Sequence, residues 1–162
     1  MSRAQSISRL TTASLAMAAL LSGCAGYVPG AKAYWDAKVK EMCHKDGGVK
    51  IIKRVHLSEK DMDELRVYGG KIGIPSRRAA PPQAPIYSEL TFTTIREKNP
   101  RVERAEAKVV QQADGIVVAR WVAYFRSGGD FPTGFSESTS YVCPTTKVIE
   151  RDLQQLFISD DS

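Results

Sequence analysis

The chain has 162 residues, 43% of them apolar, with 23 Lys and Arg against 18 Asp and Glu and a formal net charge of +5. A single domain of about this size can bury roughly two-thirds of its unfolded surface. The basic residues are scattered among acids instead of gathered in blocks, so no nucleic-acid footprint is present and no nucleic-acid partner is expected.

Residues 1–23 carry Arg3 and Arg9 and no acid, so losing them would lower the net charge by two. The apolar or small run Leu10–Leu21 is shorter than the about 20 residues that a membrane-crossing helix needs. Its basic start and small-residue end fit a secretory signal peptide. The stretch Leu21-Ser22-Gly23-Cys24 resembles the bacterial lipobox, where the cysteine thiol is acylated and the chain is cut before it. The resemblance implies that Cys24 is the lipidated first residue of a mature chain that carries palmitate. The plainer reading is an ordinary signal peptide with an incidental cysteine. Several acyl chains on one residue make a durable anchor, whereas one alone binds marginally. In the enteric sorting pattern an aspartate after that cysteine retains a protein in the inner membrane. Ala25 stands there instead, which implies the outer membrane. The expected organisation is a signal peptide over 1–23, a tether over 24–30 and one domain over 31–162, an ordinary domain size. Such a domain needs no metal to fold.

Residues 31–46 read as a helix, with Trp35, Val39, Met42 and Cys43 on one stripe. Asp36 and Lys40 are spaced as an outer i,i+4 pair, and Gly47-Gly48 stops the helix. Residues 49–57 alternate as one half-buried strand, with Val49, Ile51, Val55 and Leu57 inward and Lys50, Arg54 and His56 outward. Ser58 with Asp61 resembles a capping box, predicting a short helix that ends near Gly69-Gly70. Asp61, Asp63 and Glu64 lack the glycine and distal glutamate of a calcium loop and read as a charged first turn. The proline-rich stretch 75–85 reads as an exposed loop.

The remainder reads as an antiparallel meander. Residues 87–97 place Leu90, Phe92 and Thr94 on one face, and Asn99-Pro100 turns the chain. Strands over 101–112 and 116–126 flank the hairpin signal Asp114-Gly115. Val117, Ala119, Trp121, Ala123 and Phe125 are in phase and mark a core strand, with Ala105 and Ala107 opposite to make room for Trp121. A glycine-rich loop at 127–135 leads to a last strand that points Tyr141 and Cys143 the same way. Ile149, Leu153, Leu156 and Phe157 fit a helix or a strand. The predicted fold is α+β: a single antiparallel sheet of about five strands, with an N-terminal helix and one or two short helices packed on one face.

With Cys24 given to lipid, Cys43 and Cys143 remain as an even pair in an oxidising compartment, which favours a disulfide. Two free thiols, or zinc held by Cys43, His44, His56 and Cys143, are the alternatives. Adjacent Cys43-His44 is poor chelate spacing, so no metal and no cofactor are expected. Together, "CHKDGGVKI" at 43–51, Asp114-Gly115, "YFRSGGD" at 124–130 and "YVCP" at 141–144 resemble a set of small, uncharacterised proteobacterial envelope lipoproteins. The resemblance covers most of 31–144 and implies a Cys43–Cys143 link, and it brings no catalytic residue.

Catalysis needs a nucleophile with its base, paired carboxylates or a metal. The GxSxG elbow is missing. His44 and His56 read as ordinary surface residues. The glycines at 128 and 129 read as turn formers instead of a phosphate loop. The expected function is a non-catalytic binding or structural module, anchored to the membrane and contacting another envelope protein or peptidoglycan. The alternative is a hydrolase-like enzyme that assembles residues such as Asp130 and His56 only in three dimensions. Arg126, Asp130, Phe131 and Phe135 in the glycine-rich loop form the candidate partner surface, since aromatics with arginine typify binding hot spots.

Overall fold

A computed structural model describes residues 30–66, 70–130 and 139–159. Helix α1 spans Ala31–Asp46, and its stripe is turned inward as the spacing requires, with Val39 and Cys43 buried. The Asp36–Lys40 pair does not form as expected. Asp36 bonds instead to Arg126, a buried cation on the sheet face that the helix covers.

The single strand expected over 49–57 is two strands. β1, Gly48–Ile51, pairs antiparallel with β5, Val117–Ser127. The amides of Ile52 and Lys53 then both bond to the Val118 carbonyl, and the chain swings off the sheet. β2, Val55–Leu57, joins a separate two-stranded parallel sheet with β7, Phe157–Ser159. The alternation in the sequence survives this break: Val55 and Leu57 are buried and His56 is exposed.

Helix α2, Glu59–Leu65, starts as expected, with the Ser58 side chain accepting from the Asp61 amide at 3.2 Å. It ends at Leu65 instead of near Gly69. β3, Ile86–Arg96, and β4, Arg101–Gln111, form a long antiparallel pair, and β4 pairs in turn with β5. β6, Ser140–Cys143, lies on β5 beyond β1. The main sheet is therefore ordered β1-β5-β4-β3, with β6 sharing the β1 edge. Helix α3, Thr146–Gln154, follows, and the ambiguous C-terminal segment proves to be helix and then strand.

The helices occupy opposite faces of the sheet, not one. α1 covers the face of Val102, Val122 and Tyr124, where Trp35, Met42, Tyr141 and Cys143 complete the cluster. On the other face, Ile86, Val109 and Ala119 pack with Val55, Leu57, Leu65 and Leu156 from the small sheet and the segments beside it. β5 is consequently buried on both sides, including Val118, Val122 and Tyr124, which fall outside the phase expected to be core. Trp121 lies opposite Ala107, as the small residues suggested, but Trp121 and Phe125 are only half-buried.

Candidate functional site: the Gly-Gly-Asp loop

The loop leaves the sheet where β5 ends, and three elements hold its base. Arg126 is the penultimate residue of β5 and points toward α1. It is 2% exposed, the one charged side chain among the buried described residues. Its Nε donates to Asp36 Oδ1 at 2.8 Å, and its Nη1 donates to the Gly128 carbonyl, to the Thr139 carbonyl at 2.8 Å and to Thr139 Oγ1 at 3.1 Å. A planar guanidinium suits this role because its fixed fork serves several acceptors at once.

Asp130 closes the loop from outside. Its carboxylate pairs with Lys32 of α1 at 2.8 Å and accepts from the Thr139 amide at 2.7 Å and the Thr139 hydroxyl at 2.9 Å. The Lys32 ammonium first, and the Thr139 amide next, hold its pKa down at about 2. Asn99 Oδ1 accepts from the Gly129 amide at 2.6 Å. Gly128 and Gly129 have φ of 79° and 84°. A Cβ at Gly129 would sit 3.1 Å from Pro100 Cβ, and one at Gly128 would press on Asn99 Oδ1. Both positions therefore need glycine on backbone and on space. Arg96 holds the neighbouring turn, donating to the Pro100 carbonyl at 3.0 Å while its guanidinium lies over the Trp35 ring.

The structure thus places two of the four sequence-derived loop residues, and Phe131 and Phe135 lie outside the described residues, as does Cys24. Arg126 is spent on the protein's own acceptors, so it organises the loop from beneath instead of reaching outward. The amides of Gly128, Gly129 and Thr139 each have an internal acceptor. Those three are not offered to an anion.

Cys43 and Cys143 are joined by a disulfide with a Cα separation of 5.8 Å, tying α1 to β6. Both thiols are thereby removed from metal ligation. Among the described residues no group of three or more His, Cys, Asp and Glu side chains converges as a metal site. His56 and Asp130 belong to opposite ends of β5: β2 follows the contact at Val118, and the loop follows Ser127. That length of strand is about 30 Å.

Two cavities among the described residues lie elsewhere, beside the segment that precedes β3. One of about 450 Å³ opens between the sheet and α3, with Ile72, Ile74, Val109, Trp121 and Leu153 as apolar walls. The Lys71–Glu150 ion pair, 3.0 Å, stands at its rim, and Gln154 fastens the wall by bonding both the amide and the carbonyl of Ile72 at 3.0 Å. Sequence reasoning missed this cavity, because Ile72 and Ile74 sit in a segment without strand or helix period.

Compared with protein-family models, with curated proteins and with solved structures, the chain matches none.

Proposed function

We propose that this protein is a lipid-anchored bacterial envelope protein that works as a non-catalytic binding or structural module, held at the outer membrane through Cys24. The carrying observation is the allocation of thiols. Of three cysteines in the chain, Cys43 and Cys143 are consumed in one bridge, which leaves Cys24 alone. That remaining cysteine follows the short apolar run and the small residues Ser22 and Gly23, where an acylating enzyme would act. The bridge suits an oxidising compartment such as the periplasm. The Gly-Gly-Asp loop, fixed at its base by Arg126 and Asp130, is the proposed place of partner contact: a rigid scaffold presents a loop for recognition by another envelope protein or by peptidoglycan.

The test is metabolic labelling with palmitate in cells that express the chain. The wild type incorporates label and fractionates with membranes, and Cys24→Ser does neither. Equal labelling of the two would overturn the anchor. Crosslinking of whole envelopes, with the labelled chain as bait, then tests the loop: a partner recovered with wild type and lost in Phe131→Ala supports the contact.

A further inference from the structure

β3 is an edge strand of the main sheet, and it is guarded at both ends but not in the middle. At its start the segment 75–77 lies alongside: the Ser88 amide donates to the Pro75 carbonyl at 2.8 Å and the Arg77 amide to the Ser88 carbonyl at 2.9 Å. At its end a bulge between Thr94 and Arg96 breaks the register, and Arg96 turns back onto Asn99 and Pro100. Ser88 thus directs its backbone groups away from β4, and by the two-residue period of a strand so do Leu90, Phe92 and Thr94. Among the described residues nothing bonds these outward groups. The opposite edge, by contrast, is split into two strands of four residues each, β1 and β6. The open stretch Leu90-Thr91-Phe92-Thr93-Thr94 has no charge, proline or glycine, and every residue but Leu90 is β-branched or aromatic in the manner that favours pairing. Leu90 and Phe92 are 50% and 58% exposed, although they continue the apolar face through Phe125, whose ring lies 6.5 Å from that of Phe92.

We propose that a second copy of this chain adds to this stretch, antiparallel, about a two-fold axis at Phe92. That register sets Phe92 opposite the partner's Phe92, Leu90 opposite the partner's Thr94 and Thr91 opposite the partner's Thr93, and makes about six new backbone hydrogen bonds. It opposes no like charges, since Glu89 meets the partner's Ile95 and is itself paired with Arg77 at 2.7 Å. The neighbouring registers fail. An axis at Thr93 sets Glu89 against the partner's Glu97, and an axis at Thr91 drives the partner's Thr94 into the place held by 75–77. An isologous contact of this kind closes on itself as a dimer instead of growing into a fibre.

The test is sedimentation of the full chain in mild detergent, as wild type, as Phe92→Lys and as Phe92→Asp. The wild type should sediment as a dimer, each variant alone as a monomer that still unfolds cooperatively, and the two variants mixed as a dimer again. Phe92→Cys should crosslink to itself with a short bismaleimide, which serves if either charged variant fails to fold. A monomeric wild type overturns the proposal, including one whose Leu90 and Phe92 amides resist hydrogen exchange because another segment covers them. So does a variant that stays dimeric alone, a mixture that stays monomeric, or a Phe92→Cys chain that does not crosslink.

Discussion

The base of the Gly-Gly-Asp loop and the middle of β3 lie on the same sheet and treat backbone polarity in opposite ways. At the loop base, Arg126, Asp130 and Asn99 supply a side-chain partner wherever the chain leaves the ladder. Along Leu90–Thr94 the ladder simply stops, with apolar side chains beside it. An unpaired polar group costs little in water and much when buried. Arg126 and Gly129 of the loop base are buried beside α1, so the polar groups around them had to be satisfied from within. The β3 edge faces solvent, and a pairing partner can be taken from outside. The first region holds the fold together, and the second is free to act.

Substitutions should separate the two regions by size of effect. Arg126→Ala should be the most severe, because it strands Asp36 and two carbonyls around a buried gap. A loss of about 3–5 kcal/mol is expected from removing one partner of a buried ion pair, read as a lower urea midpoint. Cys143→Ser releases a crosslink between positions 100 residues apart in sequence. It should cost about 2–4 kcal/mol, and the same loss should appear when wild type is measured under reducing conditions. Gly129→Ala forces a Cβ against Pro100 at a positive φ and should cost about 1–2 kcal/mol in the same titration.

A smaller effect concerns pH. The Asp130 carboxyl has its pKa held down at about 2, below its usual 3.8, by Lys32 and Thr139. A depressed carboxyl stabilises the fold above the unfolded value, and that contribution is lost as pH falls through the folded one. The melting temperature of wild type should therefore drop between about pH 4 and pH 2 more than that of Asp130→Asn. Glu41, held down at about 2 by Lys38 and Lys45, titrates in the same range in both proteins, so the difference between them isolates Asp130. The smallest effect belongs to the open edge: Phe92→Ala should change monomer stability by less than about 0.5 kcal/mol, as at ordinary surface sites. A large loss there would mean that the side chain is covered and that the contrast between the two regions is false.

Much of the fold was legible because it is written in local periods. The 3.6-residue stripe of α1 placed Cys43 inward, where the bridge requires it, and Asp114-Gly115 marked the turn between β4 and β5. The capping pattern at Ser58 set the start of α2. What escaped was non-local. Nothing in Val55–Leu57 announces a parallel partner about 100 residues on, and the neighbouring bonds to Val118 that split the strand are made by backbone alone. Arg126 was expected on the partner surface beside the loop aromatics, yet it is out of phase with Trp121 and Phe125 and is buried. α1 covers exactly that other phase, which no window of sequence reports. The loop was visible as glycine-rich, yet its clamp draws on Lys32, Asp36, Asn99 and Thr139, spread over the chain.

In the proposed function the three thiols are divided between lipid at Cys24 and the Cys43–Cys143 bridge. Alkylation of the native protein from cell envelopes, without reductant, followed by intact-mass measurement, tests it most directly. The account predicts a chain that begins at Cys24, carries acyl groups on it and takes up no alkylating reagent. An unacylated chain alkylated at Cys24, or one alkylated at Cys43 and Cys143, would contradict it.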